Sequence, residues 1–167
     1  MKVLITGADG FIGKNLQLHL GERKDVTTVC FTREHRSHQL GAMLQGVDCV
    51  FHLAGVNRPN DPAEFAVGNE YLTRELCDAL IEMADCSGKK ISVIYTSSVQ
   101  AESKNHYGES KRAAENALFN LQRLHGLDVH VFRLPNVFGK WSRPNYNSVI
   151  STFCYNISRN LPLSLIH

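Results

Sequence analysis

The sequence predicts an α/β fold in which helices wind on both faces of a parallel sheet. Short apolar runs rich in β-branched residues alternate with stretches whose apolar residues recur at three- and four-residue steps, so strands and helices take turns along the chain. The first strand runs straight into a glycine turn and a helix. No repeat or linker interrupts the 167 residues, a length that suits one domain with a sizeable core.

Lys2-Val3-Leu4-Ile5-Thr6 reads as a buried strand. Gly7, Gly10 and Gly13 follow at G-x-x-G-x-x-G spacing, and Ile12, Leu16 and Leu20 lie four apart on one helical face. This order suits a dinucleotide. A turn without side chains admits backbone N–H groups to a pyrophosphate, the helix N-terminus adds partial positive charge, and the third glycine lets helix and strand pack closely. The plainer alternative is a structural tight turn in some other α/β protein.

Val26 to Phe31 reads as the second strand. An NAD site usually places an acidic residue at its end, but Phe31-Thr32-Arg33 stands there instead. The Arg33 guanidinium suits a 2′-phosphate, which favours NADP(H) and leaves NAD(H) open; Glu34 alongside and a solvated loop arginine are the counterweights. A short helix is expected around Leu40, Met43 and Leu44. Gly46 to Gly55 holds the third strand and its exit, where Ala54 and Gly55 either lie against a cofactor or pack a turn. Asn57 to Pro62 is a loop at a strand's carboxyl end, so it borders the ligand crevice. Arg58 in it is an anion contact or a solvated arginine.

Ala63 to Ala84 has helical spacing through Phe65, Leu72, Leu76, Leu80 and Met83, with Asn69 inside and a stop at Ser87-Gly88. Ile91 to Tyr95 is a strand closing with Thr96-Ser97-Ser98. A helix follows from Tyr107 to His125, stopped by Gly126, then a strand over Leu127 to Leu134. A last helix is expected from Ser148 to Asn160. Leu161 to His167 carry neither a helical stop nor a partner strand.

Tyr107 and Lys111 lie four apart and so share a helix face. An ammonium close to a phenol favours the phenolate and lowers its pKa from about 10 toward neutrality, giving a usable proton donor or acceptor. Y-x-x-x-K alone is common by chance. After a strand ending in Ser/Thr, in a chain that opens on a glycine turn, it marks a site.

Other classes find little support. Net charge is +2, and no basic run or aromatic-interleaved patch suggests nucleic acid. The five cysteines form no C-x-x-C pair, so reduced, mostly buried thiols are expected. His35 and His38 could share a metal but read as loop histidines, and no metal is expected. No apolar run approaches membrane-spanning length and the start is not a signal peptide, so a cytoplasmic location is the expectation.

Together these residues resemble the short-chain dehydrogenase/reductase superfamily in its extended, sugar-nucleotide branch, the NAD-dependent epimerase/dehydratase family. The matching pieces, in the family's order, are Thr6-Gly7-Ala8-Asp9-Gly10-Phe11-Ile12-Gly13, His52-Leu53-Ala54-Gly55, Asn69 with Thr73 and Leu76, Thr96-Ser97-Ser98, Tyr107 with Lys111, and Arg133 with Asn136-Val137-Phe138-Gly139. Asn57-Arg58-Pro59, Ser98-Val99-Gln100-Ala101 and Phe138 through Ile150 look more closely like the reductase half of bacterial capsular-polysaccharide and O-antigen enzymes. Those enzymes reduce a UDP-linked N-acetylated 4-keto-6-deoxy-hexose and carry a C-terminal cupin domain.

The resemblance implies a Rossmann-type doubly wound sheet and an NADP(H)-dependent oxidoreductase acting on a nucleotide-linked sugar. Tyr107 would protonate the C4 oxygen as hydride arrives, Lys111 would hold the nicotinamide ribose and tune Tyr107, and Ser98 would hydrogen-bond the same oxygen. Asn69 would support the helix and a water near Lys111. Gly7, Gly10, Phe11, Ile12 and Gly13 would surround the pyrophosphate, with Leu53, Ala54 and Gly55 beside the dinucleotide and Arg33 on the 2′-phosphate. Arg58, Asn136 and Lys140 are the substrate candidates, and homodimerisation through the Tyr107 helix is a family habit. Three departures stand out. Only eight residues separate Ser98 from Tyr107, short for the superfamily but suited to this subgroup. The usual segment that cups the adenine is missing between Thr32 and Gly46. The family also continues into further strands and a substrate lobe. Residues 1–167 are therefore expected to be one dinucleotide-binding domain, truncated relative to the family. The rival expectations are a truncated binder without turnover and, more weakly, a redox-sensing dinucleotide-binding protein.

Overall fold

The computed structural model describes residues 1–164; the part of the C-terminal expectation that falls on Leu165, Ile166 and His167 lies outside the described residues. β1 (Lys2–Thr6) is buried along nearly its whole length, as a central strand covered on both faces must be. The glycine turn leads into α1 (Phe11–Gly21), followed by β2 (Thr27–Phe31), a 3-10 turn at Ser37–Gln39, α2 (Leu40–Met43) and β3 (Cys49–His52). Next come α3 (Ala63–Phe65), a wider π-type turn (Ala66–Tyr71) and α4 (Leu72–Ser87). β4 (Ser92–Ser98), a 3-10 turn at Val99–Glu102, α5 (His106–His125), β5 (Val129–Leu134) and α6 (Val149–Ile157) complete the order.

The five strands form one parallel sheet in the order β2-β1-β3-β4-β5. The chain winds outward from β1 to β2, then crosses back to β3 and continues the other way. The reversal between β1 and β3 opens a crevice at the carboxyl ends of those two strands. β2 and β5 are the two edges of this sheet.

One face of the sheet carries the main core, built by Leu4, Val50, Val93 and Tyr95 against Leu76 and Leu80 of α4 and Leu118 and Leu121 of α5. The other face has a smaller core, with Val3, Ile5 and Ala8 packed by Leu16 and Leu20 of α1. Phe132 on β5 remains 52% exposed.

Local signals explain most boundaries. α5 starts where Asn105 caps it, the side chain accepting from Gly108 N at 2.7 Å, and ends at Gly126 with φ of 67°. Gly88 ends α4 in the same left-handed way, with φ of 68°. α6 begins after the Ser148 cap but ends at Ile157, short of the expected Asn160, which has left the helix with φ of 52°. The single helix expected over Ala63 to Ala84 is interrupted by the π-type turn. There the Asn69 carboxamide bonds Val56 N at 2.8 Å and Val56 O at 3.0 Å, and Gly68 packs so tightly on Val56 that a Cβ would overlap its side chain. β3 is also shorter than the expected run from Gly46 to Gly55, because the turn at Gly46 (φ 73°) delays its start.

Candidate active site

The glycine turn and the exit of β3 touch. Gly7 has φ of 67°, and a Cβ there would lie 2.7 Å from the Ala54 backbone. A Cβ at Gly13 would overlap the carbonyls of Gly7 and Ala8. Both positions therefore require glycine. Gly10 is the N-cap of α1 and offers no side-chain cap, and the first turn, with Phe11, Ile12 and Gly13, holds no acidic residue. Free backbone donors and the helix dipole at that end suit an anion, so this turn fits a pyrophosphate.

The wall continues from there to Lys111. A Cβ at Gly55 would meet Asn69 Oδ1 at 2.9 Å and Lys111 Nζ at 3.4 Å. Leu53 and Ala54 are half-buried beside it. Lys111 is 5% exposed and donates to Tyr95 Oη and to the Thr96 carbonyl, both at 3.0 Å. An ammonium has three donors, so one remains for a ligand. Burial lowers the Lys111 pKa to about 8, partly opposed by the charge of Glu115.

Tyr107 stands one turn earlier on α5, half-buried, its ring tilted against Phe65 at 5.7 Å between centroids. Its phenol corrects one expectation. Burial raises the Tyr107 pKa, and the Ser98 hydroxyl offsets part of the rise. The Lys111 ammonium is turned onto Tyr95 and Thr96. A protonated phenol is what a proton donor needs at neutral pH.

Ser98 closes β4 and its Oγ accepts from Gln100 N at 3.2 Å. The strand end is braced from below. Ser97 donates to the buried Glu115 at 2.5 Å, and Arg133 of β5 donates to both Glu115 oxygens at 2.9 and 2.7 Å and to Glu102 at 2.6 Å. Burial pushes the Glu115 carboxyl up, but the bonds from Arg133 and Ser97 outweigh it and hold it below its ordinary value. Ser97 and Arg133 fall in the motifs quoted above, whereas Tyr95 and Glu115 carry no sequence pattern of their own beyond the strand and helix that contain them.

A cleft of about 380 Å³ opens beside Tyr107, with Asn57, Arg58, Phe65, Gln100 and Asn147 among its lining. Of the three substrate candidates, only Arg58 reaches this cleft; its guanidinium lies 5.5 Å from the Tyr146 ring. Lys140 sits instead by the first turn of α1, its carbonyl accepting from Asn15 Nδ2 at 2.8 Å and its ammonium over Trp141 at 4.5 Å. Asn136 is exposed and outside the cleft lining. Arg33 is exposed just past β2. His35 accepts from Thr32 N at 3.1 Å and stacks on Phe31. Among the described residues no cluster of three His, Cys, Asp or Glu side chains is placed to hold a metal, and no helix is long and apolar enough to cross a membrane.

Residues 3–167 match the NAD dependent epimerase/dehydratase family, and the chain belongs to it. It is 54% identical over 165 residues to a UDP-2-acetamido-2,6-beta-L-arabino-hexul-4-ose reductase of Pseudomonas aeruginosa, covering 99% of this chain and 43% of that protein. Among solved structures it is similar to the capsular polysaccharide assembling protein CapF of Staphylococcus aureus, with 41% identity, a TM-score of 0.83, and coverage of 100% of this chain and 44% of that one. A UDP-glucuronic acid 4-epimerase of Bacillus cereus in complex with NAD shares the fold at 19% identity and a TM-score of 0.83, covering 99% of this chain and 66% of that one. The chain thus spans less than half the length of the first two.

Proposed function

We propose that residues 1–167 are the dinucleotide-binding domain of an NADP(H)-dependent nucleotide-sugar oxidoreductase. The substrate we assign is a UDP-linked N-acetylated 6-deoxy-4-keto-hexose, reduced at its C4 keto group for capsule or O-antigen precursors. The observation that carries this reading is the continuous wall from Gly7 through Ala54 and Gly55 to Lys111. It joins a pyrophosphate-fitting turn to the helix bearing Tyr107. NADP(H), when bound, supplies the hydride. Tyr107 donates the proton to the C4 oxygen from its Oη, and Ser98 hydrogen-bonds the same oxygen. Lys111 offers its third N–H to the nicotinamide ribose, and Arg33 faces the 2′-phosphate. The name of the Pseudomonas relative supports the substrate class.

A second reading is a dinucleotide binder without turnover. It is favoured by the cleft beside Tyr107, which of the three substrate candidates only Arg58 lines. One experiment separates the two. NADPH and NADH are titrated by fluorescence, then a UDP-linked 4-keto sugar is added and NADPH absorbance is followed. Consumption that falls at least about a hundredfold in Tyr107→Phe, with NADPH affinity kept, supports the reductase. Binding without consumption supports the binder. Failure to bind either dinucleotide overturns both.

A further inference from the structure

We propose that His52 is a positioning residue that ties the dinucleotide crevice to the helix carrying Tyr107 and Lys111. It rests on dinucleotide binding in that crevice, the reading given above. His52 ends β3 and is 1% exposed. Its Nδ1 lies 2.7 Å from Thr6 Oγ1 and its Nε2 2.8 Å from Thr73 Oγ1.

The partners fix the direction of each bond. Thr73 Oγ1 is 2.6 Å from the Asn69 carbonyl, which can only accept, so the Thr73 proton goes there. Thr73 Oγ1 must then accept from His52 Nε2–H. The ring is neutral, since burial and the Lys111 charge bring its pKa down to about 3. Nδ1 therefore accepts from the Thr6 hydroxyl, and Thr6 Oγ1 accepts in turn from Ala54 N–H at 3.2 Å. A single tautomer satisfies the whole chain of bonds.

The two ends of this chain lie in different parts of the site. At one end the Ala54 backbone packs directly against Gly7 of the glycine turn. At the other, the Asn69 carboxamide donates to Ser110 Oγ at 3.0 Å, and Ser110 donates to the Tyr107 carbonyl at 2.8 Å. The His52 ring also stacks on Tyr95, with 5.3 Å between centroids, and Tyr95 Oη accepts from Lys111. A dinucleotide lying along the joined Gly7 and Ala54 backbones therefore also settles the start of α5.

The test uses the full chain and NADPH as the probe. Wild type, His52→Asn, His52→Gln, His52→Phe and Thr73→Val are compared by fluorescence titration and by hydrogen exchange of residues 107–111 with and without NADPH. Asn keeps an acceptor near Nδ1 and Gln a donor near Nε2, so each rescues one end. We expect NADPH to slow exchange in the first turn of α5 of the wild type. His52→Phe should lose that response and bind NADPH about tenfold more weakly, the order of one buried hydrogen bond. His52→Asn should regain affinity without the α5 response, and His52→Gln the response without full affinity. Thr73→Val should keep affinity and lose the response, and it decides the matter if His52→Phe does not fold. An unchanged α5 response in Thr73→Val, or an even loss of protection across the whole chain, overturns the proposal. A wild type that binds no dinucleotide overturns instead the reading on which it rests.

Discussion

Lys111 Nζ lies 3.0 Å from Tyr95 Oη, and its second acceptor is the carbonyl of Thr96; among the described residues no carboxylate bonds to it. A buried ammonium held only by neutral oxygens is poised between its charged and neutral forms. That relationship has a consequence for stability.

Lys111 has a pKa of 10.5 when free and about 8 when buried. Between those values the unfolded chain binds a proton that the folded chain does not, so stability rises with pH across that window. Below pH 8 both states are protonated and the Lys111 contribution is flat. Lys111→Met lacks the effect. The stability of wild type relative to Lys111→Met, from denaturant unfolding, should rise between neutral pH and 10.5 by at most on the order of 3 kcal/mol. A difference that stays constant with pH contradicts the burial of a lone ammonium.

Gly108 packs against the segment that joins Ser98 to Tyr107. A Cβ there would overlap the carbonyls of Gln100 and Ser103, so the short segment between the two residues lies flat against the first turn of α5. Gly108→Ala should cost about 1–3 kcal/mol of stability through forced backbone shifts. It should also reduce turnover more than NADPH affinity, because Ser98 and Tyr107 separate while the glycine turn is untouched. Urea unfolding and the titration above check both, and an unaltered midpoint would show that the segment moves freely.

On the proposed reading, Arg33 distinguishes the two cofactors. Arg33→Ala should weaken NADPH about tenfold, the loss of a charge-assisted contact, and leave NADH unchanged. Paired fluorescence titrations measure this. Equal effects on the two dinucleotides, or none, would remove Arg33 from the 2′-phosphate.

Much of this was legible in the sequence because the signals are local. Lys2–Thr6 is the expected strand residue for residue, and the Gly126 stop of α5 falls where it was read. Gly7, Gly13 and Gly55 were legible as close-approach positions, and each has a backbone or side chain beside it that a Cβ would strike. What stayed hidden depends on partners distant in the chain. The spacing puts Tyr107 and Lys111 on one helix face, but it does not say where a four-carbon stem turns. Tyr95, sixteen residues earlier, decides that. The π-type turn at Ala66–Tyr71 is set by Val56 across the site, which no periodicity within the helix reports. The same holds for Lys140, read as a substrate contact from its motif and found against α1.

The central claim is that one crevice holds both the hydride carrier and the proton donor. A crystal structure of the full chain with NADP(H) bound tests it most directly. The account predicts the pyrophosphate on the Gly7–Gly13 turn, a nicotinamide ribose hydroxyl within hydrogen-bonding distance of Lys111 Nζ, and the Tyr107 phenol facing the nicotinamide. A dinucleotide bound elsewhere, or one whose nicotinamide points away from α5, would contradict it.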